Sequence, residues 1–247
     1  MRIAVIADIH GNALALEAVL ADLERRGGAD RIVDLGDCAS GPLWPAETMA
    51  RLEGLGALTV RGNHDRWVGM LAPEAMSPVD RFTHDALTPA QHSRLGALPI
   101  IADVAPGILA FHAGPEDDCL YLIDKVVEGE LVRDRPEAIA SRLGRLDPAV
   151  RLVLCGHSHR PDCAQLGDVL VVNPGSVGLP AYKVTEAPAH VSESGAPFAR
   201  YVILDWDGAT PRLDFIAVPY AHEEAARQAE AHRSPGWAEA LRTGRRK

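Results

Sequence analysis

Three residue types recur at positions where they could do chemistry together: Asp8, His10, Asp37, Asn63, His64, Asp65, His112, His157 and His159. All are groups that bind borderline divalent metals or move protons. Nitrogen and oxygen donors without thiolate fit manganese, iron or zinc in an open site better than a closed structural zinc cage. A carboxylate has two oxygens and can bridge two ions. Two ions about 3.5–4 Å apart can hold a hydroxide between them and clamp a phosphoryl group. The stretch "LCGHSHRP" (154–161) adds direction. His157 and His159 leave an apolar run at i and i+2, and side chains alternate with period 2 along a strand, so the two imidazoles point to the same side.

These residues need elements to carry them. "RIAVIAD" (2–8) is an apolar run of strand length. Leu16, Val19, Leu20 and Leu23 follow at i, i+3, i+4 and i+7, with Gly27 as a stop, which spells an amphipathic helix. "RIVDLGD" (31–37) reads as a second strand, Pro45 opens a helix ending near Gly56, and "ALTVRGN" (57–63) reads as a third strand. A βαβαβ start implies a parallel sheet with a crevice at the strands' C-terminal ends. Asp8, His10, Asp37, Asn63, His64 and Asp65 all fall there. Residues 66–98 read as a helical insert in which "TPAQ" (88–91) is a capping box. "LPIIADVAPGILAFHAGP" (98–115) reads as a hairpin ending at His112, and "RLVLCGHSH" (151–159) as a strand ending on the paired histidines. Two more hairpins turn at Gly167–Asp168 and Asp207–Gly208, and helices start near 220 and at Pro235. Residues 114–135, acidic, and 180–197, rich in Pro, Ala and Ser, are expected to be loops, and 233–247 a helix with a frayed tail. The whole reads as one α/β domain over 1–247.

Composition narrows the function. The chain has 25 Lys+Arg and 34 Asp+Glu, a net charge of −9. That argues against long nucleic acid and anionic membrane as partners and leaves small substrates, since bound cations can supply local positive charge. "MRIAVIADIH" has too short an apolar run for a signal-peptide core or a membrane span. Cys38, Cys119, Cys155 and Cys163 form no CxxC pair and are expected as mostly buried, reduced thiols of a cytoplasmic protein. His84, His92, His190, His222 and His232 are expected at the surface.

The ordered blocks "DIHGN" (8–12), "GDCASGP" (36–42), "GNHD" (62–65), "FHAGP" (111–115) and "GHSH" (156–159) resemble the calcineurin-like metallophosphoesterases, and "NPGSVGLP" (173–180) is similar to a small bacterial phosphodiesterase and phosphatase branch. The resemblance implies a sandwich of two mixed β-sheets flanked by helices. It implies two divalent ions, manganese first, with iron, zinc or nickel as alternatives. Asp8, His10, Asp37 and His159 would hold the first ion, Asp37 would bridge, and Asn63, His112 and His157 would complete the second site. A metal-bridging hydroxide would attack phosphorus, His64 would protonate the leaving oxygen, and Asp65 would orient His64. The pair in "GHSH" is thereby split between two ions.

Two features depart from the family pattern. The chain has "HAG" where relatives have "HG", and the long 180–197 segment replaces a short loop. Three readings follow. One is a small-molecule or nucleotide phosphoesterase. Another is a scaffold that keeps the fold with little catalysis. The third is a protein Ser/Thr phosphatase, whose members usually lack the second histidine that His159 supplies here.

Overall fold

The computed structural model describes residues 1–246 and contains fourteen strands and eight α-helices. The first sheet has the order β14-β13-β1-β2-β3 and the second β4-β5-β8-β10-β9. In the first, β1 (Arg2–Ile6), β2 (Arg31–Asp34) and β3 (Leu58–Thr59) run parallel, and β13 (Ala199–Trp206) and β14 (Pro211–Val218) add antiparallel strands beside β1. In the second, β5 (Ile108–Phe111), β8 (Leu152–Leu154) and β10 (Val169–Pro174) are parallel, edged by β4 (Ile101–Ala105) and β9 (Pro161–Leu166).

The alternation in "RIAVIAD" explains how the sheets stack. Ile3, Val5 and Ala7 face the second sheet, where they meet Ile108, Ala110, Leu152 and Leu154 in one core. Ala4 and Ile6 point the other way, onto Leu16, Val19 and Leu23 of α1 (Ala13–Arg25) and Met49 and Leu52 of α2 (Pro45–Glu53). Each fully buried aliphatic side chain contributes about 1.5–3 kcal/mol, so a one-residue slip in β1 would forfeit several such terms. The outer face of the second sheet is covered by Ile139 and Leu143 of α6 (Pro136–Leu143). Two mixed sheets flanked by helices are therefore present, as expected.

The insert is helical: α3 (Asn63–Met70), a 3-10 turn (Pro73–Ala75), α4 (Pro78–Ala86) and α5 (Pro89–Gly96). Ser77 and Thr88 cap α4 and α5, and a proline follows each cap.

Two expected loops are not loops. Residues 114–135 contain the hairpin β6 (Asp124–Val127) and β7 (Glu130–Arg133), and 180–197 contain β11 (Ala181–Val184) and β12 (His190–Glu193). β7 pairs with β12, so the two hairpins make a third sheet, β11-β12-β7-β6. His190, expected at the surface, is buried there and its Nε2 lies 2.8 Å from the Tyr121 hydroxyl. The tail after α7 (His222–Ala231) and α8 (Pro235–Thr243) is tied down as well. Gly195 N–H donates to Gly244 O, Arg246 N–H donates to Glu193 at 2.7 Å, and the Arg246 guanidinium meets Glu239 at 3.3 Å. Lys247 lies outside the described residues. Of the four free cysteines, Cys38 and Cys155 are buried, whereas Cys119 is exposed. Among the described residues no helix is long and apolar enough to cross a membrane.

Candidate metal centre and active site

The C-terminal ends of β1, β2, β3, β5 and β8 converge, and with them Asp8, His10, Asp37, Asn63, His112, His157 and His159. Two groups form. Ligand-type atoms of Asp8, His10 and His159 lie within 4.8 Å of one another, and so do those of Asp37, His112 and His157. Asp37 sits between the groups, its Oδ2 3.7 Å from His10 Nε2 and 3.4 Å from His112 Nε2. Asn63 Oδ1 lies 3.1 Å from His112 Nε2.

The backbone is bent to achieve this. Among the described residues, seven non-glycine residues have φ between 50° and 68°, and five of them are Asp8, His10, Asp37, His157 and His159. Asp and His tolerate this region better than most side chains, yet each such residue still costs on the order of 1–3 kcal/mol. Glycine makes room beside them. A Cβ on Gly62 would lie 2.2 Å from Asp37 Oδ1, and Gly36 has a φ of +92°.

Hydrogen bonds decide which atoms face inward. His10 Nδ1 donates to Ser40 O at 2.8 Å, His159 Nδ1 to Leu179 O at 2.6 Å, His112 Nδ1 to Leu35 O at 2.7 Å and His157 Nε2 to Cys119 O at 3.1 Å. A carbonyl only accepts, so each of these nitrogens carries a hydrogen. In the neutral ring the other nitrogen, with its lone pair, then points into the cluster. The carboxylates do likewise. Asp8 Oδ2 accepts from His157 N–H at 3.1 Å and Asp37 Oδ1 from His64 N–H at 2.9 Å, which leaves Asp8 Oδ1 and Asp37 Oδ2 facing the imidazoles.

This is an arrangement of acceptors against acceptors. His10 Nε2 and His159 Nε2 are 3.1 Å apart, and Asp8 Oδ1, buried and without a hydrogen-bond partner, is 3.4 Å from His159 Nε2. Only a cation or a proton makes such a contact favourable. The donor set and its carbonyl-anchored outer shell fit two divalent ions with nitrogen and oxygen ligands.

The ionisation states of His10 and His157 agree, and that of His112 differs. Burial, then the neighbouring His159, lowers His10 to about 4, and burial, then His112, lowers His157 to about 3. Both rings are neutral at neutral pH. For His112 burial acts against the charged form, but Asp37 beside it outweighs this and raises the ring to about 10. A proton there occupies the lone pair that a divalent ion would use. Asp37 is held well below the usual carboxylate range: burial opposes ionisation, and the His112 and His64 rings overcome it.

Residues 1–194 match the family model of the calcineurin-like phosphoesterase superfamily domain. The chain belongs to this superfamily. An uncharacterized protein of Methanocaldococcus jannaschii is 27% identical over 95% of this chain and 94% of its own length. Among solved structures, a metallophosphoesterase from Sphaerobacter thermophilus superposes with a TM-score of 0.75 at 24% identity, covering 99% of this chain and all of its own. A hypothetical protein from Pyrococcus horikoshii does so with a TM-score of 0.74 at 19% identity, covering 100% and 99%. These structural likenesses show that the shared fold extends over the full chain.

One expected contact within this superfamily member is not made. Asp65 does not orient His64. Its carboxylate accepts from the backbone N–H groups of Asp37 (2.8 Å), Gly62 (2.9 Å) and Cys38 (3.0 Å) and so clamps the Asp37 turn to the start of α3. The partner of His64 is Asp80 of α4: His64 Nδ1 lies 2.7 Å from Asp80 Oδ1. Asp80 is buried and also accepts from the Ser40 and Ser77 hydroxyls, each at 2.6 Å. Burial alone would keep His64 neutral, but Asp37 and Asp80 raise it to about 9. In sequence, "SPVD" (77–80) reads as a helix start with Asp80 in its first turn, so nothing marked it as a site residue. Asn12 and Ser176 serve local structure: Asn12 caps α1, and the Ser176 hydroxyl donates to Asp8 O at 2.7 Å.

Proposed function

We propose that the chain is a dinuclear-metal-dependent hydrolase of small phosphate esters. The observation that supports this most is the facing of ring nitrogens and buried carboxylate oxygens beside an Asp80-anchored His64. Asp8, His10 and His159 would hold one ion and Asn63, His112 and His157 the other, with Asp37 shared. Bound there, two divalent ions would supply Lewis-acid polarisation of phosphoryl oxygens and would acidify water toward a pKa of ~7, so no strong separate base would be needed.

The chain's own residues handle the leaving group. As water attacks phosphorus, the ester P–O bond breaks and the departing oxygen gains negative charge. His64 lines the cavity with Nδ1 engaged by Asp80, which leaves Nε2 to give that oxygen its proton. Asp80 is a positioning residue: it fixes the tautomer and stabilises the charged ring before transfer. The cavity over the cluster has a volume of about 370 Å³, a size suited to a small molecule.

The test is metal-stripped protein reloaded with Mn²⁺, Ni²⁺, Zn²⁺ or Mg²⁺ and assayed on phosphomonoesters, diesters, cyclic nucleotides and dinucleoside polyphosphates. Turnover of at least one ester, lost on chelation and regained on reloading, is expected. A protein that holds two ions and hydrolyses none of them is a binding scaffold, and the proposal fails.

A further inference from the structure

Aromatic residues are scarce in this chain, 5% in total with four Trp and four Tyr, yet two of each stand at one cavity. Each abuts a different histidine of the site. Trp67 of α3 meets His64 edge-on with ring centroids 4.7 Å apart, and Trp237 of α8 meets His10 at 5.9 Å. Tyr182 of β11 meets His159 at 4.6 Å, and Tyr121 stacks on His157 at 4.9 Å and 24°. Three elements and the segment before β6 thus supply a collar of rings above the cluster.

The two kinds of ring are held differently. The tyrosines are locked into the wall: their hydroxyls are 2.9 Å apart, Tyr121 also reaches His190, and Tyr182 donates to His157 O at 3.3 Å. Trp67 and Trp237 are half-buried and line the cavity on the sides of the insert and the C-terminal helix. Shielding the histidines from water would need only apolar bulk, which Leu or Val supplies in the rest of this core. Two half-exposed indoles, one beside His64 and one beside His10, line the cavity next to both the leaving-group side and the first ligand group, and the Arg66 guanidinium stands 5.8 Å from the Trp67 ring centroid. Two cations, Lys183 and Arg246, and two carboxylates, Asp37 and Glu186, also line the cavity.

We propose that the collar selects phosphate esters whose organic part is a flat aromatic ring, packed against Trp67 and Trp237 while the phosphate lies on the cluster. This names the substrate class of the hydrolase proposed above and rests on that reading. Stacking on an aromatic side chain is tolerant of ring identity but demands a ring. A nucleobase and a simple aryl group share this chemistry.

Binding, not turnover, is the cleaner test, because aryl esters react faster for reasons of leaving-group acidity alone. Mn²⁺-loaded protein is titrated calorimetrically with adenosine 5′-monophosphate, phenyl phosphate, ribose 5-phosphate and inorganic phosphate. Adenosine 5′-monophosphate should bind about tenfold or more tightly than ribose 5-phosphate. Phenyl phosphate matching the nucleotide assigns the preference to any aryl ring, and phenyl phosphate falling short assigns it to a nucleobase. In Trp67→Leu and Trp237→Leu the ratio should fall toward one while the affinity for ribose 5-phosphate is kept. Trp67→Phe and Trp237→Phe, which keep a ring and guard against misfolding, should retain most of it. Arg246→Ala should weaken all four anions alike. Equal affinity for the nucleotide and ribose 5-phosphate in the wild type overturns the collar proposal, even where phosphoesters are hydrolysed. A ring preference in a protein that turns over no ester supports the collar and overturns the hydrolase reading.

Discussion

The floor of the cavity and its walls are built by different means. The floor is made of strand ends from two sheets whose cores are fully packed, and its ligand-type residues sit in strained backbone conformations that those cores enforce. The walls come from the insert, the third sheet and the C-terminal helix, and their side chains are half-buried and held by hydrogen bonds and ring contacts. The floor tolerates strain because strands buried on both faces cannot shift. On the proposal above the walls set specificity, and one wall residue, Asp80, reaches down to His64 on the floor.

That contrast can be broken or sharpened by substitution, and the largest effect belongs to the floor. Asp37→Asn removes a charge shared by both gaps. We expect kcat/KM to fall by about 10³-fold or more and the metal content to drop below two ions per chain; unchanged activity breaks the floor assignment. His64→Ala should cost about 10²–10⁴-fold in kcat with both ions retained, the size of effect general-acid catalysis carries. The loss should shrink for esters with acidic leaving groups, and wild-type rates on a poor leaving group would contradict the role of His64.

Asp80→Asn tests whether a wall element reaches into the chemistry. A loss of about 10–100-fold in kcat with little change in KM is expected, and Asp80→Glu should recover part of it. Asp65→Asn should instead disturb metal binding, through the Asp37 turn. The reverse pattern between these two variants would restore the Asp65–His64 pairing. The smallest effect concerns strain. His159 has a φ of 58°, where glycine is at no disadvantage. His159→Gly should therefore melt above His159→Ala by about 2–4 °C without metal, on the order of 1 kcal/mol, and equal melting temperatures would deny the strain.

What could be read in advance follows the same division. Floor residues lie at the ends of apolar runs whose periodicity is plain, so Asp8, Asp37, Asn63, His112 and His157 were each placed by the strand before them. The positive φ values were not legible, since Asp and His carry no glycine-like signal. The third sheet escaped because β11 and β12 are four residues each and bury Ala181, His190 and Ser192, leaving no apolar alternation to detect. Asp80 escaped because a carboxylate in the first turn of a helix already has a sufficient local reason to be there. The His64–Asp80 contact spans 16 residues and depends on how α4 packs against the Asp37 loop. The aromatic collar escaped for a related reason: Trp67, Tyr121, Tyr182 and Trp237 are far apart in sequence and share no motif.

The central claim is that two adjacent cation gaps share Asp37 and divide the histidines of "GHSH" between them. Anomalous diffraction from crystals of the Mn²⁺-loaded protein tests it directly. The account predicts two peaks about 3.5–4 Å apart, one beside Asp8, His10 and His159 and the other beside Asn63, His112 and His157, with Asp37 touching both. A single peak, or both histidines of the pair on the same ion, would contradict it.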